Sequence, residues 1–280
     1  MHDSRVGDRR ALHLGVLGVR LDILVSGSQG DALYAALSDA WSWCRAEADG
    51  EAVVELQAWL DDDPDRVPEL TVDHQVQVVG GHDLASVMHA ISPAVTQRAV
   101  AAQAGRLLML HAAVVAHPDT GGCAVLIGAS GAGKTTLATA LGRHFAYLSD
   151  ETAAIDSELG VMPYPKPLSV LTHPGAELSE QVDPGSAGLQ RLRGATPRVR
   201  AVVLLHRDPG HAGLPVVEPV AIVDALPELA AQTFYSRRLD RPLHRLAELA
   251  RAAGGVRRVT YAEAPDLVPV IDEPLRGGDR

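Results

Sequence analysis

Apolar and polar residues alternate in two distinct styles along the chain. Near the start, Val19, Leu21, Ile23 and Val25 alternate with Arg20 and Asp22, the period of a half-buried strand. An apolar segment at 12–16 precedes them and the two meet at Gly18, which predicts a pair of strands. Leu33, Leu37, Trp41 and Cys44 recur near one face of a helix. A strand at 52–60 runs into Asp61-Asp62-Asp63-Pro64-Asp65, which reads as a solvated loop, with a cation site as the alternative. Leu70, Val72, His74, Val76 and Val78 alternate again up to Gly80-Gly81, and a helix is expected over 83–106. Residues 1–106 therefore read as a small α/β domain.

Beyond 107 the alternation gives way to continuous apolar runs, the mark of strands buried on both faces. Strands are expected at 107–116, 123–127, 145–148, 201–205 and 256–260, with helices at 227–234 and 242–253. The stretch 183–197, rich in Pro, Gly, Ser and Arg, reads as a mobile loop. Residues 107–280 form the second domain of this reading, and the overall class is α/β.

Composition narrows the function. Of 280 residues, 46% are hydrophobic and 21% charged, which fits a folded chain rather than a disordered one. With 25 basic against 35 acidic residues the formal charge is −10, which argues against a dedicated nucleic-acid binder. Cys44 and Cys123 are too few for a disulfide scaffold or a four-thiolate zinc site. No apolar run approaches the roughly 18 residues of a membrane span. Arg9-Arg10 ahead of an apolar stretch imitates an export signal, but Arg20 and Asp22 interrupt it and no small-residue cleavage site follows. A cytoplasmic protein is expected. Only two of the 25 basic residues are lysines, Lys134 and Lys166, and both fall in unusual segments.

The first of these is Gly128-Ala129-Ser130-Gly131-Ala132-Gly133-Lys134-Thr135, which satisfies G-x-x-x-x-G-K-[ST] between an expected strand and an expected helix. Glycines let successive N–H groups converge on phosphate oxygens, and the helix N-terminus adds partial positive charge there. In such a loop Lys134 reaches the β- and γ-phosphates, Thr135 ligates Mg²⁺, and Thr136 continues the binding segment. A nucleoside triphosphate is the expected ligand. The same pentad lacks the last glycine of G-x-S-x-G, so a serine hydrolase is rejected.

Ser149-Asp150-Glu151 follow the strand after the loop's helix, beginning 14 residues beyond Thr135. Carboxylates there suit Mg²⁺ binding, deprotonation of an acceptor hydroxyl, or both. The rival is Asp208, near the place of a conventional Walker B acid, but Pro209-Gly210 after it read as a plain turn. His111, inside the strand before the loop, fits either a core histidine or a functional one. Pro163-Tyr164-Pro165-Lys166-Pro167 reads either as a proline-rich turn or as a stiff loop offering one ammonium group to phosphate or substrate.

His111, the loop 17 residues later and the acidic pair at the next strand end together resemble the catalytic domain of HPr kinase/phosphorylase. The matching stretches are Leu110-His111-Ala112-Ala113-Val114-Val115, the loop through Thr136, and Leu148-Ser149-Asp150-Glu151. The likeness implies a P-loop kinase domain of the HPr kinase C-terminal type behind the small α/β domain. It implies Asp150 as the base, Lys134 on the phosphates, Thr135 with Asp150 and Glu151 at the metal, and His111 beside the transferred group. The second acid is Glu rather than Asp, and the family's L-E-I-R-G-L-G segment has no counterpart here. The missing segment, tied in that family to phosphorolysis, argues against the phosphorylase half and with it against HPr as the substrate. Pro163–Pro167 and the long N-terminal part look closer to the HPr-kinase-like proteins of bacterial gene clusters that phosphorylate a serine of a lasso-peptide precursor.

The resulting expectation is an ATP- and Mg²⁺-dependent kinase acting on an alcohol, foremost a serine of a peptide or small protein. Lys166 or an arginine of 191–200 would close over the phosphates. Three alternatives remain open: a kinase of a small hydroxyl metabolite, a P-loop ATPase or nucleotide sensor without acceptor, and, last, a degenerate binding protein with a structural P-loop. The N-terminal domain is open to acceptor recognition through a strand edge or to self-association as a homo-oligomer.

Overall fold

A computed structural model describes residues 10–47, 54–65, 77–128, 134–171, 173, 176 and 178–276, with Lys134 described by its backbone alone. The expected positions 70–76 and loop residues 129–133 lie outside these. The chain is mixed α/β with several sheets and divides into two compact units, Met1–Ala102 with Lys166–Pro184, and Gln103–Pro165 with Gly185–Arg280. The segment 166–184, read from sequence as part of the second domain, falls with the first unit.

Strands β1 (Arg10–Val16) and β2 (Val19–Ser26) form the expected hairpin, turning at Leu17 and Gly18 with φ of 51° and 76°. Positive φ at both central residues suits the right-handed twist of a two-residue hairpin. Leu17 holds this backbone with its side chain wholly buried. Helix α1 (Gly30–Ala40) buries Leu33, Leu37 and Ala40, and β3 (Val54–Leu60) and β4 (Gln77–Gly81) add in parallel to give the order β1-β2-β3-β4. Asp61 departs from the solvated-loop expectation: it is 1% exposed, and its carboxylate accepts the Ser28 N–H at 3.3 Å and the Asp63 N–H at 3.2 Å. Buried carboxylates need such donors.

Helix α2 (Leu84–Ala102) starts where Asp83 caps it, accepting the Ser86 N–H at 2.8 Å and the Ser86 hydroxyl at 2.7 Å. It ends four residues short of the expected 106. The apolar run 107–116 is not one strand. It divides into β5 (Leu108–His111) and β6 (Ala113–Ala116), which belong to different sheets. The break is held by backbone bonds, His111 N–H to Gln232 O at 2.8 Å and Ala112 N–H to Glu151 O at 3.1 Å.

The second unit continues with β7 (Gly122–Ile127), α3 (Lys134–Gly142), β8 (Ala146–Ser149), β9 (Thr152–Ile155) and β10 (Val161–Met162). In the first unit, β11 (Leu168–Leu171) and β12 (Ser179–Val182) make a hairpin whose Ser179 hydroxyl lies 2.9 Å from His89 Nδ1 of α2. Back in the second unit come β13 (Arg198–Arg207), β14 (Val216–Val220), α4 (Ile222–Ala231), α5 (Pro242–Ala252), β15 (Val256–Tyr261) and α6 (Val268–Arg276).

The main sheet has the order β14-β15-β13-β7-β6-β8, with β7, β13 and β15 parallel; β10-β9-β5 form a smaller sheet. Their core includes Leu110, Val114, Val125, Ile127, Leu148, Ile155, Val202 and Leu204, all at most 3% exposed. Helix α4 begins five residues before the expected 227 and stops after Ala231. Beyond it the chain turns, Thr233 bridging to Leu110 and the Phe234 N–H donating to Met109 O at 2.9 Å. Among the described residues no helix is long and apolar enough to cross a membrane.

Candidate active site

Strand β7, buried throughout, delivers Gly128 to the start of the G-x-x-x-x-G-K-T segment, and α3 begins at Lys134. A central strand followed at once by a helix is the setting the motif requires, since the helix N-terminus then faces what the loop binds. Thr135 sits in the first turn of α3. Its hydroxyl donates to Asp150 Oδ2 at 2.8 Å, joining the motif's last residue to the acidic pair.

Asp150 occupies the turn between β8 and β9, where the chain passes from the main sheet to the smaller one. Ser149 shapes that turn: its hydroxyl oxygen accepts the N–H groups of Glu151 at 3.2 Å and Thr152 at 2.9 Å. Asp150 is 4% exposed, and its second oxygen, Oδ1, accepts the hydroxyl of Tyr147 at 3.0 Å. Tyr147 is itself 1% exposed. Each oxygen of this buried carboxylate therefore has a hydroxyl donor, one from the phosphate-loop helix and one from β8. Sequence reasoning missed Tyr147. In an extended strand, residues three apart point to opposite faces, and only the turn after Ser149 lets the two meet.

His111, the last residue of β5, stands opposite Thr152 in the antiparallel pair β5/β9. Its Nδ1 donates to the Glu151 carbonyl at 3.1 Å. The ring meets Phe234 edge to face at 6.0 Å. His111 and Asp150 are thus tied to the same turn, one through its backbone and one as a member of it. Thr152 Oγ1 is buried there without a hydrogen-bond partner among the described residues.

Asp208 is exposed just past β13 and accepts the Gly210 N–H at 2.9 Å. Leu204 is the β13 residue level with Ile127, so the strand beside β7 presents Leu204, Leu205 and His206 where a Walker B acid would stand. Lys166 opens the first unit's 166–184 segment, 5% exposed, with Nζ donating to the Pro167 carbonyl at 3.4 Å. In the 191–200 loop, Arg193 pairs with Asp119 at 3.5 Å and Arg198 donates to the Glu158 carbonyl. Cys44 and Cys123 are buried and not in a disulfide, and burial pushes the Cys123 thiol up to about 12.

Magnesium has a fitting donor set. Mg²⁺ prefers hard oxygen ligands, one or two from protein and the rest from water and phosphate. The Thr135 hydroxyl and the Asp150 carboxylate supply two such oxygens 2.8 Å apart. Among the described residues no group of three or more His, Cys, Asp or Glu side chains gathers to hold a metal.

No known family pattern matches the chain, and no curated protein matches it. Among solved structures it has a distant resemblance to the HPr(Ser) kinase/phosphatase from Coxiella burnetii. The two share 13% identity over 60% of this chain and 93% of that one, with a TM-score of 0.30.

Proposed function

We propose that the chain is an ATP- and Mg²⁺-dependent phosphotransferase that moves the γ-phosphoryl group to a serine hydroxyl of a peptide or small protein. The observation that carries this reading is the 2.8 Å contact between Thr135 and a 4%-exposed Asp150. It sets a carboxylate beside the end of a phosphate-binding motif, where an acceptor alcohol must be deprotonated. The sequence likeness to HPr kinase/phosphorylase gives the same residues the same roles.

In the proposed reaction the acceptor oxygen attacks the γ-phosphorus in line, the bond to the ADP oxygen breaks, and Asp150 takes the hydroxyl proton. Lys134, by its place in the motif, and the N–H groups of the loop stabilise charge spreading over the γ-phosphoryl oxygens. Thr135 and Asp150 would hold Mg²⁺, which when bound would neutralise phosphate charge. Water exclusion around the buried carboxylate strengthens these interactions.

The test is transfer of ³²P from γ-labelled ATP with Mg²⁺, comparing wild type, Asp150→Asn and Asp208→Asn on serine peptides from neighbouring genes and on a mixture of hydroxyl metabolites. Label in a peptide, abolished by Asp150→Asn and unaffected by Asp208→Asn, is the expected outcome. Label confined to a metabolite discards the peptide and keeps the chemistry. Release of inorganic phosphate alone, indifferent to Asp150, replaces the kinase with an ATPase or sensor.

A further inference from the structure

After α4, Gln232 and Phe234 hydrogen-bond to β5, the strand that ends in His111, Thr233 bridges to it, and Phe234 touches the His111 ring. Directly beyond Phe234, residues 235–245 carry Arg237, Arg238, Arg241 and Arg245 against one carboxylate, Asp240. The first three arginines are exposed and Arg245 is half-buried. Among the described residues Asp240 pairs only with its neighbour Arg241, at 3.3 Å, both well exposed. Arg238 lies 5.2 Å from the Tyr235 ring centroid, and Arg245 donates to the Arg106 carbonyl at 3.3 Å. No carboxylate among the described residues stands within ion-pair distance of Arg237, Arg238 or Arg245, although the chain has ten more acids than bases.

The turn is also held in shape. Tyr235 and Arg241 bound it with φ of 49° and 44°, left-handed backbone that L side chains rarely adopt. Strained residues of this kind concentrate at ligand clamps and functional sites. Leu239 between them is buried, and Gly105 lets the Arg238 carbonyl approach so closely that a Cβ there would stand 2.9 Å from it. The guanidinium groups are therefore carried on a fixed loop rather than a loose tail, starting one residue from the His111 contact.

We infer that this arginine turn is the docking surface for the acceptor, a peptide with Asp or Glu residues beside its serine; the inference rests on the kinase reading of the neighbouring site. A guanidinium fork receives a carboxylate bidentately, and several carboxylates on one short peptide match several forks on one turn. The area is small and the rest of the chain acidic, which suits a short acidic segment better than a long polyanion such as RNA.

The experiment is fluorescence anisotropy without ATP, using three labelled probes. They are a serine peptide flanked by glutamates, its glutamine isostere, and a single-stranded oligouridylate. Wild type is compared with Arg237→Gln/Arg238→Gln and with Arg237→Glu/Arg238→Glu. Exposed ion pairs are individually weak, so two forks together are expected to favour the acidic peptide about ten-fold over its isostere in wild type. The glutamine variant loses that preference and the glutamate variant reverses it, while thermal unfolding and ATP affinity stay unchanged. Equal affinity for the two peptides in wild type, or a preference that survives both variants, overturns the inference, as does tighter binding of the oligouridylate. Acid-selective binding without phosphoryl transfer would keep the docking surface and sink the kinase; transfer without acid preference would do the reverse.

Discussion

Replacing Tyr147 by Phe removes one oxygen atom and one hydrogen bond, the 3.0 Å contact to Asp150 Oδ1. Both residues are almost inaccessible, Tyr147 at 1% and Asp150 at 4%, so water cannot easily supply the lost donor. The ring stays, and no cavity larger than a hydroxyl opens. Hydrogen bonds to a carboxylate are worth about 1.5–3 kcal/mol, which translates to a fall in Tm of roughly 3–12 °C for a protein of this size. The contact also orients the proposed base, so kcat is expected to fall about ten-fold, equivalent to about 1.4 kcal/mol of barrier, with the KM for ATP unchanged. A double-mutant cycle with Asp150→Ala isolates the pair: a coupling of about 1–2 kcal/mol is expected from contacting residues. Additivity within about 0.5 kcal/mol, together with an unaltered kcat, would show that the hydroxyl does not hold the carboxylate.

Two further outcomes follow from groups outside the site. Cys123, pushed up to about 12 by burial despite a backbone hydrogen bond that pulls it down, stays a neutral thiol at pH 8; it should resist a thiol-exchange reagent in the native protein and react on unfolding in urea, and stoichiometric labelling of native Cys123 would contradict the burial. For Asp22, burial acts to raise the carboxyl, but hydrogen bonds from Arg20 and His13 outweigh it and hold it below its ordinary value. Its contribution to stability is therefore complete above the unfolded pKa of about 3.9 and is lost as pH falls through the folded one. Urea midpoints of wild type and Asp22→Asn should differ at neutral pH and converge in strong acid, and a gap that widens on acidification would reverse the sign.

How much could be read before folding is clearest at particular residues. Lys134 and Thr135 are legible because G-x-x-x-x-G-K-[ST] fixes residue types at set spacing, and Asp150 because a polar triplet interrupts an apolar run. The hairpin at Gly18 and the start of α2 at Asp83 are similarly local, since turn and cap chemistry act within a few residues. The run 107–116 misleads for the converse reason. Apolar residues on both faces say that a strand is buried, and are silent on which neighbour it pairs with. Helix α4 was displaced because Pro227 reads as a first-turn residue, whereas the burial of Ala225 and Leu229 starts the helix earlier.

The amino-acid pattern by itself determined the α/β class, the G-x-x-x-x-G-K-T motif and the acidic turn after it, all of them products of period, propensity and short-range geometry. Only the tertiary structure decided that Thr135 donates to Asp150, that Tyr147 supports the other oxygen, and that residues 166–184 join the first unit. It alone set the arginine turn beside the His111 strand. Those relations join residues from 3 to more than 100 positions apart. They depend on where a strand bends and which edge remains open for pairing, outcomes that the whole packed core selects and no local segment encodes.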